Sequence, residues 1–376
     1  MSIVKANTFQ DATGGSNAVF SGVASPPNSM GFRNRIINGG MVIDQRNAGA
    51  STSNAGGTTT YSLDRWAYYA TSSSKFTIQQ STTAPAGFSN SLLITSSAAT
   101  TINSGDEYWL TQKIEGFNTA DLAWGTADAQ TVTLSFRVRS SLTGTFGGSI
   151  CNSAMNYYYA FSYTISAANT WETKTITISG PTAGTWIGAT NGTGMFVIFG
   201  LSAGTTYGGA TPGSWTSATY KVLPTGAVNI LATNGATFYI TGVQLEAGTN
   251  ASPFERRDYG RELIMCQRYY QQMASTGTGG FYMIGVGNVV SSTQGYVAGW
   301  FRTTMRSTPS FSYSGTLGTD IKYSISGDAT PTGVSTDQMN PDSYALSVTF
   351  TGATGGQALR LFSLTTAGQV KFSAEL

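Results

Sequence analysis

The chain has 376 residues, of which 40% are apolar and only 10% charged, with a formal net charge of +2. Lys and Arg are not clustered anywhere, which argues against nucleic-acid binding through phosphate neutralisation. The absence of histidine from the sequence excludes Ser-His-Asp and Cys-His nucleophilic chemistry and histidine-ligated metal sites.

Glycine is abundant, with 46 residues, and aromatic residues make up 12% of the chain. A surplus of Gly, Ser and Thr together with many aromatics is typical of short strands joined by tight turns. The length predicts roughly two to three domains. We therefore expect an all-β protein with more than one domain.

Residues 1–31 have scattered apolar positions, several glycines and the pair Pro26-Pro27, which predicts an extended N-terminal arm. The opening MSIVKANTFQDATGG has no apolar stretch of the kind that a secretory signal requires. No segment approaches the roughly 18 consecutive apolar residues of a membrane-spanning helix. A protein that works outside cells without an export signal would be released by lysis, which fits a virus.

Residues 32–249 contain short alternating runs separated by Gly, Ser, Thr and Asn, such as SKFTIQQS, YWLTQKIEG, TKTITISG and ATFYITGVQLEAG. This spacing predicts a jelly-roll-like β-sandwich. In TVTLSFRVRSS, Phe136 and Val138 share one face and Arg137 and Arg139 take the other. Such alternation predicts a half-buried strand.

A tyrosine-rich run, YYYAFSYTIS, follows. On a strand, its odd positions would share one face, and we expect this face to be core: Tyr157, Tyr159, Phe161 and Tyr163. Tyr158 would lie on the other face. Tyrosine rings can stack on the apolar CH face of a sugar while the hydroxyl bonds sugar hydroxyls, so Tyr158 is a candidate for ligand binding.

Two tryptophans lie in segments that lack strand alternation, Trp124 in DLAWGTAD and Trp215 in TPGSWTSATY. Large aromatics in loops are less easily buried, so both are candidates for ligand contact. The two cysteines, Cys151 and Cys266, match no metal-ligand spacing and are expected to be small core thiols, with a disulfide left open.

Residues 250–274 predict a helical linker. SPFERRDYGRELIMCQRYYQQ is charged, and its Pro253 has the position of a first helical residue. Gly260 interrupts the pattern, so the predicted helix runs from Arg261 to about Met273. Its apolar residues recur at i, i+3, i+7 and i+10 on one face: Leu263, Cys266, Tyr270 and Met273. This face is expected to pack on the first β domain, against copies of itself around a threefold axis, or both.

Residues 275–376 return to strand patterns, including FYMIGVGNVV, GYVAGWFR, YALSVTFTG and ALRLFSL. About a hundred residues are enough for a second, smaller β domain. We expect a C-terminal β-sandwich domain there.

Several segments resemble bacteriophage tail-fibre and related virion structural proteins. GVQLEAGTNASPFERRDYGRELIMCQRYYQQ resembles a linker that recurs in them, and FRNRIINGGMVIDQRNAG, DRWAYY and TFYITGVQLEAG resemble the β domain that precedes it. That domain is similar to jelly-roll carbohydrate-binding modules. FRTTMRSTPSFSYSG and KFSAEL resemble the family's C-terminal β domain, so the resemblance spans residues 32–376.

The resemblance implies a homotrimer in the virion, on the tail or particle surface, assembled in the host cytoplasm. Residues 1–31 would attach it to other virion proteins, and the partner outside would be a host cell-surface glycan. The hypothesis is therefore a non-enzymatic fibre subunit that mediates host attachment. The alternative is a purely structural virion protein: a capsid-surface fibre, a cement subunit or a tail adaptor.

A glycan-degrading tailspike is the third hypothesis, since glycosidases need two carboxylates. The available carboxylates are Asp106, Glu107, Glu115, Asp121, Asp128 and Glu172. No β-helix repeat accompanies them. Asp106-Glu107 also suggests a calcium site, but no loop shows the usual acidic series. We predict no catalytic residue, no metal and no cofactor.

Overall fold

The structure is a computed structural model that describes residues 33–275, 281–325 and 328–376. Asn34–Leu376 form one compact unit. The predicted virion-attachment arm, residues 1–31, lies outside the described residues. The predicted boundaries of the β domains and linker within this compact unit stay predictions.

The first part of the chain is a β-sandwich of antiparallel strands. Its strands are β1 Thr52–Ser53, β2 Thr60–Leu63, β3 Trp66–Ala70, β4 Phe76–Ser81, β5 Ser91–Ser96, β6 Glu107–Glu115, β7 Val132–Ser140, β8 Gly144–Asn152, β9 Tyr157–Ile165, β10 Glu172–Ile178, β11 Thr193–Ala203, β12 Trp215–Ser217 and β13 Thr237–Ala247. Short 3-10 turns lie at Gly116–Asn118, Ala120–Leu122 and Ile230–Ala232.

The two sheets of the sandwich face each other across one apolar core. The six-stranded sheet has the order β1-β4-β5-β13-β7-β10, and the seven-stranded sheet has the order β12-β9-β8-β11-β6-β3-β2. Aromatic rings of the two sheets pack edge to face in this core. The ring centroid of Phe136 in the first sheet lies 5.1 Å from that of Phe199 in the second. The predicted alternation is confirmed, because Phe136 and Val138 are buried while Arg137 is exposed.

The strands of the C-terminal part are β14 Tyr270–Ala274, β15 Tyr282–Ser291, β16 Gln294–Trp300, β17 Ser310–Ser314, β18 Ile321–Ser324, β19 Asp328–Ala329, β20 Gly333–Met339, β21 Ser343–Thr349, β22 Ala358–Ser363 and β23 Gln369–Ser373. They form two further antiparallel sheets, with the orders β14-β23-β17 and β19-β18-β22-β15-β16-β21-β20. A separate apolar core holds them together, with Phe372, Tyr344 and Phe301 in mutual ring contact.

The predicted helix from Arg261 to Met273 is wrong at both ends. Helix α1 spans Tyr259–Gln267, and the carboxylate of Asp258 caps it by accepting from the Arg261 backbone N–H at 2.9 Å. The residues that follow form β14, which pairs with β23 about a hundred residues later. Long-range strand pairing therefore overrides the local helical period.

The predicted helix face is split for the same reason. Leu263 and Cys266 lie on α1, where they pack in a small apolar cluster with Ile37 and Ile43. Tyr270 and Met273 lie on β14 instead, and Met273 belongs to the C-terminal core.

The predicted fold class is confirmed: an all-β protein with a jelly-roll-like β-sandwich, one short helix in the described residues and a smaller C-terminal β part. Cys151 and Cys266 are both buried and unpaired with each other. In the described ranges, no helix has the length and apolarity to cross a bilayer.

Candidate functional site

The outer face of the six-stranded sheet is built by strand alternation. Side chains of neighbouring residues point to opposite sides of a strand, so the residues between core positions face outward. They are half-buried or exposed, and we call this set the open face: Thr77, Gln79, Leu93, Thr95, Arg137, Arg139, Trp171, Thr173, Thr175, Thr177, Thr237 and Tyr239.

An aromatic pair and a guanidinium lie side by side on the open face. Tyr239 on β13 is directly opposite Arg139 on β7, and the Arg139 Cζ lies 5.0 Å from the centroid of the Tyr239 ring. The Trp171 ring lies 6.0 Å from the Tyr239 ring, at an interplanar angle of 66°. Arg139 Nε donates to the backbone oxygen of Asn169 at 2.9 Å, which fixes the guanidinium beside the rings.

Hydroxyl groups flank this aromatic pair. The threonines of β10 at positions 173, 175 and 177 are exposed, and Arg137 on the neighbouring strand donates to the Thr173 hydroxyl. On the other side, Thr237 and Thr95 are cross-strand neighbours, as are Thr95 and Thr77. The face thus offers donors and acceptors on both sides of two ring systems.

This arrangement suits a neutral, hydroxyl-rich ligand. Rings accept the apolar CH faces of a sugar, while guanidinium N–H groups and threonine hydroxyls can bond its hydroxyls. A catalytic pair of carboxylates is not among the open-face residues. Among the described residues, no group of three or more Cys, Asp or Glu is arranged to hold a metal ion.

The two tryptophans predicted to contact ligand meet in a different place. Trp124 and Trp215 join Trp186 in a cluster with ring centroids 4.8 to 5.4 Å apart. All three indole N–H groups donate to backbone oxygens at 2.7 to 3.1 Å. Tyr157 stacks on Trp215 at 5.6 Å, with the rings almost parallel. The cluster therefore packs against itself and against the sandwich core.

The loop exposure expected of these tryptophans is wrong in two respects. Trp124 is buried, because it packs into the sandwich core. Trp215 is half-buried and lies on strand β12, where it pairs with Tyr159. Their ligand-binding role stays a prediction that this packing does not favour.

Tyr158 points away from the core, as the alternation predicts, but it is not exposed. It lies in an apolar cluster on the outer side of the seven-stranded sheet, where Val222 and Leu223 belong to the covering segment.

On the other side of β9, Phe161 and Tyr163 are buried in the main core as predicted. Tyr157 and Tyr159 of the same predicted face are only half-buried, because they pack against Trp215 at the sheet edge.

Most of the carboxylates named for a glycosidase have structural partners. Glu115 accepts from Arg268 at 2.6 Å and from the Tyr269 hydroxyl at 2.5 Å. Asp121 pairs with Arg35, and Glu172 with Lys174. Asp106 accepts from the Asn103 backbone N–H at 2.8 Å, and Glu107 from aromatic side chains. The prediction that the protein is not an enzyme stays a prediction.

An open groove of about 510 Å³ lies along residues 203–229 and is lined largely by glycines and small side chains. Its one charged lining residue is Lys221, whose Nζ is held by the backbone oxygens of Thr205, Thr206 and Gly208. Because rings do not line it, the groove is a weaker sugar site than the open face.

No local pattern singles out the residues of the open face as a site. Strand alternation puts Arg137 and Arg139 on the side away from the core, and the same alternation in ATFYITG and WETKTITIS puts Tyr239 and Trp171 there. The missing information was the register, which sets Tyr239 opposite Arg139.

No family model matches this chain, and no curated protein matches it by sequence. Among solved structures, it is similar to the enzymatically active domain of bacteriophage CBA120 tailspike protein 4, with 14% identity and a TM-score of 0.29. That match covers 57% of this chain and 21% of the tailspike chain, so it spans about a fifth of the tailspike domain.

Two further solved structures are similar at a comparable level. One is a putative sugar binding protein from Bacteroides thetaiotaomicron, with 12% identity, a TM-score of 0.34, and coverage of 57% of this chain and 100% of that chain. The other is a family 11 carbohydrate-binding module from Clostridium thermocellum in complex with a tetrasaccharide, with 10% identity, a TM-score of 0.28, and coverage of 55% and 100%. All three TM-scores are at most 0.34, and these likenesses carry no conclusion about this chain.

Proposed function

We propose that this protein binds glycans through the open face and that it serves as a host-attachment subunit of a bacteriophage virion. The observation that carries the glycan proposal is the Trp171–Tyr239 pair beside the fixed guanidinium of Arg139, on a sheet face that its own core leaves uncovered. The virion assignment rests on the linker-like segment at residues 242–272.

The open face supports weak, multiple contacts. Among its residues only Arg137 and Arg139 are charged, so one site would hold a sugar with modest affinity. In a homotrimeric fibre attached to a particle, several such sites act at high effective concentration, which multiplies the overall affinity. Attachment without bond cleavage is consistent with the structural partners of the carboxylates described above.

Removal of one ring tests the proposed surface. We expect Trp171→Ala to weaken binding to host-surface polysaccharide about tenfold, because one aromatic contact is worth roughly 1 kcal/mol or more. Trp300→Ala is the matched control, since Trp300 is 78% exposed on the C-terminal sheet and far along the chain from the open face. Glycan-array binding followed by titration calorimetry measures both.

Equal binding by Trp171→Ala and Trp300→Ala would contradict the assignment of the open face. Failure of the unmodified protein to bind any host polysaccharide would contradict the glycan proposal itself. Shortening of the polysaccharide during incubation would favour the tailspike alternative. Cryo-electron microscopy of the virion tests the location: the proposal expects a projecting spike rather than a subunit buried between others.

A structural role in the particle is the second candidate function, and one observation favours it. The outer side of strands β15 and β16 has apolar side chains in solvent, including Trp300 and Val286, the latter 56% exposed. Exposed apolar patches on a sheet often mark protein contacts. Under this alternative, Trp300→Ala would reduce incorporation into particles and leave glycan binding unchanged.

A further inference from the structure

Two aromatic pairs meet at one corner of the outer surface of the seven-stranded sheet. Tyr69 on β3 and Trp109 on β6 are cross-strand neighbours whose rings stack at 5.4 Å, with an interplanar angle of 18°. Tyr207 and Tyr220 come from the segment that follows β11, and their rings lie 5.4 Å apart. The three tyrosines are half-buried, so their edges reach solvent.

Glu107, the first residue of β6, joins the two pairs. Its Oε2 accepts from Trp109 Nε1 at 2.8 Å, and both of its oxygens lie 2.7 Å from the Tyr220 hydroxyl. The residue is buried, and burial raises the pKa of the Glu107 carboxyl. A buried carboxylate normally has a cationic partner, but Glu107 forms no ion pair with Lys or Arg in the part of the chain that the structure describes.

The lysines on nearby elements, Lys221 and Lys113, donate to backbone oxygens and not to Glu107. Lys221 Nζ is bound by the backbone oxygens of Thr205, Thr206 and Gly208, at 2.8 to 3.3 Å. These contacts tie down the segment that presents Tyr207. Lys113, further along β6, lies over the Phe196 ring and donates to the Leu376 backbone oxygen at 2.6 Å. The Glu107 carboxylate is therefore bonded by the aromatic side chains of Trp109 and Tyr220 and not by a lysine.

We propose that Glu107 and the rings of Tyr69, Trp109, Tyr207 and Tyr220, which we call the aromatic box, bind an organic cation with a methylated ammonium group. Ring faces attract such a cation through their quadrupole, and the attraction is strongest where water is excluded. The carboxylate supplies the opposite charge. The aromatic box lies on the other sheet from the open face, so this inference does not depend on the glycan proposal.

Choline is the probe, because it carries a trimethylammonium group on a small neutral alcohol. Titration of the full chain with choline, followed by calorimetry and by tryptophan fluorescence, should show saturable binding. Its uncharged isostere 3,3-dimethylbutan-1-ol has the same shape, and we expect it to bind at least about tenfold more weakly, because it lacks the charge that the rings and Glu107 recognise. Equal binding of the two compounds would overturn the proposal.

Two variants separate charge from rings. Glu107→Gln keeps an acceptor for Trp109 and Tyr220 but removes the charge, and Tyr207→Leu removes one half-buried ring. Each should weaken choline binding about tenfold, while Trp171→Ala on the open face should leave it unchanged. The thermal unfolding midpoint verifies that each variant is folded. A folded Tyr207→Leu variant with unchanged choline affinity would overturn the proposal even if Glu107→Gln fails to fold.

The source of the ammonium group is a separate question. Phosphocholine that binds as well as choline would indicate that the natural ligand is a headgroup linked through phosphate. Much weaker binding of phosphocholine would indicate a methylated ammonium compound that is not esterified to phosphate. No saturable binding of choline up to about 50 mM would exclude even a weak site and overturn the inference. Glycan binding in the same samples tests the open face independently.

Discussion

Asp64 shows how the fold changes the chemistry of a single residue. Its side chain is completely buried, and its oxygens accept from the Gln45 backbone N–H at 2.7 Å and from Gln45 Nε2 at 2.6 Å. Burial raises the pKa of Asp64 to about 6, although Arg46 and the Gln45 hydrogen bonds lower it. The protonated form is thus favoured in the folded protein relative to the unfolded chain.

The raised pKa of Asp64 makes the folded protein less stable as the pH rises. A raised folded-state pKa contributes stability that is fully present below the unfolded value of 3.8 and is lost as the pH rises through about 6. Between pH 5 and pH 8, Asp64 should therefore cost the protein about 1 kcal/mol of unfolding free energy. Asp64→Asn, which does not titrate, should lose correspondingly less stability over this range. Urea unfolding at pH 5 and at pH 8 measures the loss of unfolding free energy in each protein. Identical losses in the two proteins would refute the raised pKa of Asp64.

At the scale of elements, helix α1 is short and anchored by its neighbours. Its last residues lead into Arg268 and Tyr269, which both bond the buried carboxylate of Glu115 on β6. Its first turn depends on the exposed Asp258, which accepts from the Arg261 backbone N–H. A nine-residue helix is marginal in isolation, so the cap and the packing on Ile37 and Ile43 are both needed.

Loss of the cap should be measurable. Asp258→Ala should lower the unfolding free energy by about 1 kcal/mol, because one helical N–H loses its acceptor. Asp258→Asn is the matched control, since asparagine caps helices about as well as aspartate. Denaturant unfolding compares the three proteins. If both variants lost equal stability, the charge of Asp258 and not its cap would be the cause.

At the scale of the whole molecule, Glu375 connects the C-terminal part to the sandwich. It pairs with Arg65, which is buried, and with Arg46 at 2.8 Å. The Arg65 guanidinium lies 3.6 Å from the centroid of the Tyr269 ring, and the Arg46 guanidinium 3.7 Å from that of Tyr270. Arg65 and Arg46 thus lie between the rings of Tyr269 and Tyr270, which follow α1, and the Glu375 carboxylate, which follows β23.

Removal of this carboxylate should be costly. Glu375→Gln leaves the buried Arg65 charge without its partner and should reduce the unfolding free energy by about 3 kcal/mol. The double variant Arg65→Met/Glu375→Gln removes both charges and should lose less than the sum of the single variants. Chemical denaturation of the four proteins completes the cycle. Strict additivity would show that the pair does not couple the two parts.

How much of this could be predicted depends on the distance along the chain between the partners. Phe136 and Arg137 are assigned to opposite faces by alternation alone, and the all-β class follows from many such runs. The same alternation predicts that Arg137 and Arg139 of the open face point away from the core. The local apolar period assigns Tyr270 and Met273 to a helix, whereas the strand partners that decide their structure lie on β23, about a hundred residues away.

The sequence by itself determined the fold class, the faces of the strongly alternating strands and the lack of histidine chemistry, because these depend on composition and on a period of two residues. Only the tertiary structure decided that Trp171 and Tyr239 share the open face, that Trp124 and Trp215 pack together, and that Glu107 accepts from both Trp109 and Tyr220. Register and the packing of distant segments set these contacts. They arise from the core as a whole and leave no local pattern in the chain.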